Sequence, residues 1–277
     1  MKVCISIDLE GIAGIAEYID TDVRSGGHHY EIARQLMTEE CNAAIEGAFD
    51  GGATEVVVND SHSLMLNLLQ RELDPRARVI RGYRKPLDMM QGIESDTAAV
   101  MFIGYHAAAG HGGGVLNHTM EDAVREVLLN DEPAGEARLN AALAGWMGVP
   151  VVLVSGDDVL CEEARGFLGA VETVEVKKAV DMYTANSLHP AKAQELIREG
   201  ASRALRRLTE FQPYKLEPPI TMRLGFVSTS MAAICEAVPG VKRVGSRDVE
   251  YTSSDYLEVF GVLQVLLVLG DSVVRPN

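Results

Sequence analysis

The chain has 277 residues, of which 47% are hydrophobic, and it carries a formal net charge of −15. A chain of this length can bury a substantial core as one large domain or as a domain with a smaller appendage. The excess of acidic side chains disfavours a nucleic-acid partner, because phosphate backbones are bound mainly through Lys and Arg.

Apolar segments and cysteines indicate a cytoplasmic protein without a membrane association. The longest apolar run, at 259–270, is shorter than the ~20 residues that a membrane-spanning helix requires. The N-terminus lacks the charged, apolar and small-residue pattern of a signal peptide. The four cysteines are scattered without a CxxC pair, which predicts reduced residues in the core.

Short apolar runs alternate with segments of helical periodicity through the first two-thirds of the chain. In chain order, the patterns predict a strand over 3–7, a helix over 30–52, a strand over 55–59, a helix over 63–73, a strand over 98–105, a strand and turn over 123–136, a helix over 137–148, a strand over 149–156, a helix over 161–169 and a strand over 171–180. This alternation predicts an α/β fold with a mostly parallel sheet flanked by helices.

The pattern changes near residue 188. A long helix is predicted over 189–211, and a proline-rich joint over 212–220 precedes a strand, a helix and a closing helix over 255–270. We therefore predict an α/β catalytic domain over 1–188. The remainder, 189–277, is predicted to be a smaller α+β portion that completes the fold and contributes to oligomer contacts.

Polar side chains follow several of the predicted strands, at the sheet edge where α/β proteins bind ligands. Asp8 and Glu10 end the first strand, and their spacing of two places them on one face of it. Two adjacent carboxylates repel each other unless a cation lies between them. His62 and His106 follow neighbouring strands. Carboxylates with imidazoles indicate Zn²⁺, Mn²⁺ or Fe²⁺.

Each of these residues also has a structural interpretation. Asp8 could cap a following helix, but Glu10 is a poor cap, so the pair favours a metal. His62 could equally be an exposed loop residue, and His106 could be a hydrogen-bonded core histidine; spacing alone leaves both readings open.

Other polar residues are expected to serve the fold. Asp60 is predicted to cap the helix over 63–73, and Asp157 and Asp158 are predicted to cap the next one, with a supporting role beside a metal left open. His28 and His29 are predicted to lie in a loop or at a helix start, and His189 is predicted to be structural.

The glycine-rich loop over 110–120 contains His111 and His118. Either could be a plain loop residue, but a histidine beside a metal centre also suits proton transfer or stabilisation of developing charge. His118 is the stronger candidate because it lies nearer to ordered sequence. No G-x-S-x-G elbow and no nucleotide-binding glycine motif accompanies this loop.

Five segments between residues 6 and 136 resemble the D-aminopeptidase family of zinc peptidases, in the same order and at similar spacing. They are SIDLEG (6–11), VNDSH (58–62), GYHA (104–107), the segment around His118 and GE (135–136). The resemblance continues more loosely to the C-terminus. It implies two zinc ions per chain, held by Asp8, Glu10, His62, His106 and Glu136, with Asp8 bridging them and His118 as the catalytic histidine.

The resemblance also implies an activity and an assembly. We expect a zinc-dependent aminopeptidase that removes the N-terminal residue of short peptides, with a preference for D-residues such as D-Ala, by attack of a zinc-bound water. A ring-like homodecamer is implied in the same way. The alternatives are a non-catalytic metal- or peptide-binding protein and a metal-dependent amidase or esterase with a different acyl specificity.

Overall fold

The computed structural model describes residues 1–273, which form two β-sheets and seven α-helices. The strands are β1 (Lys2–Ile7), β2 (Glu55–Asp60), β3 (Arg78–Ile80), β4 (Thr97–Tyr105), β5 (Val124–Leu129), β6 (Glu132–Pro133), β7 (Val151–Asp157), β8 (Glu172–Asp181), β9 (Thr184–Ser187), β10 (Ile220–Phe226), β11 (Lys242–Arg243) and β12 (Asp248–Ser253). The helices are α1 (Tyr18–Thr21), α2 (His28–Asp50), α3 (Glu136–Trp146), α4 (Asp158–Leu168), α5 (Pro190–Arg206), α6 (Thr229–Cys235) and α7 (Tyr256–Asp271).

The larger sheet has seven strands in the order β3-β2-β1-β4-β7-β8-β9. Its strands are parallel except for β9, which pairs antiparallel with β8. All residues of β1 are buried, as expected for a central parallel strand covered on both faces. Helices α2 and α5 cover one face of the sheet with a common core. The predicted α/β fold class with a mostly parallel sheet is confirmed.

The smaller sheet is antiparallel, with the order β11-β12-β10-β5-β6. Its apolar residues share a second core with the other face of the large sheet and with α3, α6 and α7. The segment predicted as strand and turn over 123–136 belongs to this smaller sheet, where β5 pairs with β10.

Residues on either side of the predicted boundary at 188 share both layers of the fold. Helix α5 begins just beyond it and packs along α2, while β5 and β6 from before it pair in the smaller sheet. The division into 1–188 and 189–277 stays a prediction, and residues 274–277 lie outside the described part of the chain.

The predicted helix over 63–73 is wrong, because these residues form a series of turns. Ser63 and Met65 have φ values of 50° and 56°, in the left-handed region that a right-handed helix excludes. The Asp60 carboxylate accepts hydrogen bonds from the backbone N–H groups of Asn67 and Leu68 at 2.6 and 2.9 Å. Asp60 therefore folds this loop back on β2 and caps no helix.

The four cysteines are all buried and unpaired, which agrees with the prediction of reduced core residues. Within residues 1–273, we find no helix with the length and apolar character needed to cross a membrane.

Candidate metal centre

Three adjacent strands bring the predicted site residues to one edge of the large sheet. Asp8 follows β1 directly, His106 follows β4 directly, and His62 lies two residues beyond β2. Because β2, β1 and β4 are neighbours, their carboxyl ends meet at this edge. The three side chains are buried there.

Glu10 reaches the site through a turn, because β1 ends at Ile7 and leaves both carboxylates beyond the strand. The expected period-two geometry is therefore not what pairs Asp8 with Glu10. The turn packs tightly on β4: Gly11 donates its N–H to the Gly104 carbonyl at 2.8 Å. A Cβ at Gly11 would lie 1.9 Å from the Tyr105 carbonyl oxygen, so only glycine allows this approach.

Two buried lysines hold the backbone of the ligand-bearing loops, and neither was predicted from the sequence. Lys177 of β8 donates to the carbonyls of Glu10, Ile12 and Ile15, the latter two at 3.1 and 2.7 Å. Lys85 donates to the Asn59 side chain and to the Asp60 carbonyl. Buried ammonium groups require such partners. No sequence motif marks these pairings, since each lysine is remote from the loop that it holds.

Glu136 and His118 complete the cluster from the next segment. Glu136 begins α3, and its Oε1 accepts a hydrogen bond from the Met120 N–H at 2.7 Å. His118 Nε2 lies 3.6 Å from the same oxygen. The His118 ring stacks on that of His106, with centroids 4.1 Å apart and planes at 9°.

Asp8 lies at the middle of the cluster and faces a different imidazole with each oxygen. Its Oδ1 is 3.3 Å from His62 Nδ1, and its Oδ2 is 3.5 Å from His106 Nε2. Glu10 Oε2 lies 3.0 Å from His62 Nδ1, on one side of Asp8. Glu136 Oε1 lies 3.4 Å from His106 Nε2, on the other. All six predicted site residues are therefore brought together.

Each of the three imidazoles uses its second nitrogen on a backbone carbonyl. The pairs are His62 Nε2 with Thr21 O at 3.0 Å, His106 Nδ1 with Ala107 O at 3.0 Å and His118 Nδ1 with Leu116 O at 2.9 Å. A carbonyl can only accept a hydrogen bond, so it holds a proton on the nitrogen that faces it. The nitrogen that faces the carboxylates is then free to bind a metal, as in histidines that ligate metals.

The pKa values show how strongly the carboxylates and imidazoles depend on one another. Burial and the charge of Glu10 raise the pKa of Asp8. Burial alone would raise the pKa of Glu10, but His62 and the other imidazoles hold it well below its usual range.

The same opposition acts at the other side of the cluster. Burial would raise the pKa of Glu136, but the charges of His106 and His118 lower that pKa to about 2. Burial would lower the pKa of His62 and of His106, but the facing carboxylates raise both pKa values well above the usual range. The three carboxylates therefore favour positive charge at the buried cluster.

The donor set fits a metal better than it fits hydrogen bonding. Glu10 Oε2 and His106 Nε2 are buried and make no hydrogen bond with any described residue, although each lies within 3.0–3.5 Å of a partner group. Buried polar atoms without partners are costly and rare. Two overlapping groups have ligand atoms within 4.8 Å of one another: Asp8, Glu10 and His106, and His106, His118 and Glu136.

The cluster opens into a cavity of about 450 Å³, a size that suits a small ligand. Its wall continues from the cluster to Asp22, Asp88, Glu121 and Gln264. A larger groove of about 820 Å³ between α2 and α5 contains none of the predicted site residues.

The other polar residues of the sequence analysis lie outside the cluster. Asp157 caps α4 as predicted, accepting from the Leu160 N–H at 2.8 Å, whereas Asp158 accepts from the Ala179 N–H instead of capping. His28 begins α2 and His189 caps α5, both as predicted. His111 is exposed in its loop, 3.8 Å from Glu163.

The fold and the cluster together define a candidate metalloenzyme with its centre at the carboxyl edge of a parallel sheet. A family profile described as D-aminopeptidase matches residues 1–265. A D-aminopeptidase of Bacillus subtilis (strain 168) is 38% identical over 280 residues, covering 100% of this chain and 99% of that protein. The chain belongs to the D-aminopeptidase family, and the predicted family and peptidase class are confirmed.

A solved structure shows the same architecture. It is described as a Zn-dependent D-aminopeptidase, DppA, from Bacillus subtilis, a self-compartmentalizing protease. It superimposes with a TM-score of 0.95 at 36% identity, and the match covers 100% of both chains.

Proposed function

We propose that this protein is a zinc-dependent aminopeptidase that removes the N-terminal residue of short peptides, with a preference for D-residues. The observation that carries the proposal is the cluster of three carboxylates and three imidazoles, five of whose six residues line a cavity that suits a small ligand. The description of the matched structure supports zinc as the metal and peptides as the substrate.

The geometry supports two metal positions that share Asp8. Glu10 and His62 lie beside its Oδ1, and His106 lies beside its Oδ2 together with Glu136. Asp8, Glu10, His62, His106 and Glu136 would hold two zinc ions, with Asp8 common to both positions. A zinc pair, when bound, lowers the pKa of water toward ~7 and polarises the scissile carbonyl.

His118 is proposed as the residue that moves a proton during hydrolysis. The Leu116 carbonyl holds a proton on its Nδ1, so its Nε2 can accept a proton or return one. Stacking on His106 and the nearby Glu136 carboxylate fix the ring beside the cluster. Because its side chain is 17% exposed, His118 can also reach a substrate in the cavity. The proton it carries would go to the leaving amine.

We also propose that the chain assembles into a homo-oligomer. The matched structure is that of a self-compartmentalizing protease. Helix α7 exposes Leu257, Val265 and Val268, which suits a surface covered by another copy. A decamer would have about ten times the 30.0 kDa mass of the chain. Light scattering on the purified protein distinguishes this mass from that of a monomer or dimer.

Hydrolysis of D-Ala-D-Ala, L-Ala-L-Ala and simple Ala amides and esters, measured side by side, tests the activity. We expect release of D-Ala from the D-dipeptide, loss of release after chelation, and recovery on addition of zinc. Binding of the dipeptide without release would indicate a non-catalytic binding protein. Faster turnover of the amides or esters than of either dipeptide would indicate an amidase or esterase.

A further inference from the structure

One buried carboxylate of the cavity takes no part in the metal cluster. Asp88 begins the short 3₁₀ helix Asp88–Met90, is 7% exposed and lines the same cavity as Asp8 and His118. Among residues 1–273 its carboxylate has no ion-pair partner. Gln264 is the side chain placed to hydrogen-bond this carboxylate, and Asn59 Nδ2 donates to the Asp88 backbone carbonyl at 2.9 Å. A carboxylate so placed is costly unless a cation meets it.

The backbone of this turn is fixed to the strands that carry the metal ligands. The Met89 carbonyl accepts hydrogen bonds from Ser6 Oγ at 2.6 Å and from Ser61 Oγ at 3.3 Å. Ser6 is two residues before Asp8, and Ser61 directly precedes His62. Asp88 itself has a φ of 48°, an unfavourable conformation that this packing maintains. Its position relative to the metal cluster is therefore set by the fold.

The charge of Glu136 acts on Asp88 and is opposed by the charges of Lys85 and Arg84. The side chain of Gln264 of α7 lies at hydrogen-bonding range of the carboxylate and lowers the pKa of Asp88. Glu121 lines the same wall and is exposed there. Arg24, the cation that lines this cavity, is itself exposed. The carboxylates that line the cavity outnumber Arg24, so the charge of the wall favours a cationic group.

We propose that Asp88, with Glu121 beside it, binds the α-ammonium group of the substrate's N-terminal residue and so restricts the enzyme to free amino termini. The inference rests on the proposed peptidase function. The α-nitrogen is only two bonds from the scissile carbonyl carbon, so its binding site must share the cavity of the metal cluster. A peptide without the ammonium leaves the buried carboxylate unpaired, which penalises its binding.

The charge state of Asp88 agrees with this role. Burial, with a contribution from the charge of Glu136, raises the pKa of Asp88 to about 6. The group is therefore mainly ionised at pH 7–8, where a peptide amine is substantially protonated.

The test compares D-Ala-D-Ala with propionyl-D-Ala, which has the same shape but lacks the amine. The wild type should prefer the free amine by about 1,000-fold in kcat/KM. In Asp88→Asn, kcat/KM for D-Ala-D-Ala should fall by about 100-fold, mainly through KM, while the value for propionyl-D-Ala changes by less than about threefold. Zinc content should match that of the wild type.

Asp22→Asn is the matched control. Asp22 lines the same cavity, but its carboxylate already accepts hydrogen bonds from the Arg24 N–H at 2.8 Å and from the Ser25 hydroxyl. Removing its charge should change the preference for the free amine by less than about threefold. An equal loss in both variants would show a general effect of cavity charge and would overturn the assignment to Asp88.

The outcomes separate this inference from the proposed function. A wild type that cleaves no peptide contradicts the peptidase proposal itself. A wild type that cleaves D-Ala-D-Ala while Asp88→Asn keeps the full preference for the amine overturns only the role of Asp88, as does loss of zinc from that variant. Should Asp88→Asn not fold, Asp88→Ser gives the same comparison. Equal cleavage of both compounds by the wild type overturns the inference without any variant.

Discussion

Two strands of the large sheet, β1 and β7, lie on either side of β4 and both lead into a buried aspartate. At β7, both oxygens of Asp157 are used by backbone donors: Oδ1 accepts from the Leu160 N–H at 2.8 Å and Oδ2 from the Val115 N–H at 2.7 Å. At β1, Asp8 accepts one backbone hydrogen bond, from the Leu9 N–H at 2.9 Å, and each oxygen faces an imidazole.

The difference shows what makes a buried carboxylate structural or functional. Backbone N–H groups satisfy Asp157 completely, so it needs no further cation and serves to join α4 to the loop before His118. Asp8 is surrounded by two other carboxylates and by imidazoles, and the Nε2 of His106 has no hydrogen-bond partner among the described residues. The same residue type at equivalent strand ends thus serves the fold at β7 and the candidate metal centre at β1.

The largest effect is expected from Asp8→Ala. Loss of the shared ligand should remove most of the zinc and lower kcat/KM for D-Ala-D-Ala by about 10³–10⁴-fold, because metal catalysis contributes several kcal/mol. Metal analysis and peptide hydrolysis on the same sample measure both. Asp157→Ala is the matched control and should retain its zinc. Full zinc content in Asp8→Ala would mean that Asp8 is not a ligand.

His118→Ala should separate chemistry from metal binding. Its zinc content should remain at the wild-type level, while kcat falls by about 10²–10⁴-fold through loss of proton transfer. Turnover within threefold of the wild type would remove His118 from the mechanism. Circular dichroism of the loaded protein serves as the folding control.

Asp157→Ala should lower the free energy of unfolding. Loss of the α4 cap costs about 1 kcal/mol, and the buried Val115 N–H left without a partner costs about 1–3 kcal/mol more. We expect the free energy of unfolding to fall by about 2–4 kcal/mol in urea titrations. Asp158→Ala, which loses one hydrogen bond to the Ala179 N–H, should cost about 1 kcal/mol. An equal loss of unfolding free energy in Asp157→Ala and Asp158→Ala would contradict the structural role assigned to Asp157.

Glu40 is a buried carboxylate that has neither the two backbone donors of Asp157 nor the facing imidazoles of Asp8. Its Oε1 accepts from the Ala13 N–H at 2.9 Å, its Oε2 has no partner, and burial raises the pKa of Glu40 to about 7. The folded state thus binds the proton more tightly than the unfolded state, whose glutamate pKa is about 4.3. Stability attributable to this proton is present below pH ~4 and is lost as the pH rises toward 7.

Glu40→Gln removes that titration while keeping the hydrogen bond to Ala13. The variant should equal the wild type in stability near pH 4.5 and exceed it by about 1–3 kcal/mol at pH 8. Urea titrations at pH 4.5, 6 and 8 give the difference. A constant difference at the three pH values would show that Glu40 does not titrate in this range.

The sequence predicted the large sheet for physical reasons, and the structure brings the predicted site residues together at its edge. Parallel strands buried on both faces have continuous apolar sequences such as 55–59. Polar residues at the ends of these strands are therefore easy to recognise in the sequence. The helix over 63–73 was predicted wrongly because its apolar spacing suited a helix, whereas the Asp60 carboxylate and the left-handed residues Ser63 and Met65 impose turns. The spacing of apolar residues along the sequence gives no information about the hydrogen bonds that the Asp60 carboxylate makes with this loop.

Other parts of the site depend on pairings between distant segments. Lys177 and Glu10 are 167 residues apart, yet the lysine holds the turn that carries the carboxylate. Asp88 carries no motif, and the role proposed for it depends on its position in the cavity of the metal cluster. Glu136 was predicted as a ligand from family resemblance alone, because a glutamate at a helix start is ordinary in sequence terms.

We propose that Asp8 would hold two metal ions together at the end of β1. Anomalous diffraction at the zinc absorption edge, on crystals of the zinc-loaded protein, tests it most directly. We predict two zinc peaks per chain, about 3.5–4 Å apart, with one Asp8 oxygen at each ion, Glu10 and His62 beside one peak and His106 and Glu136 beside the other. A single peak, or two peaks that Asp8 does not bridge, would contradict the account.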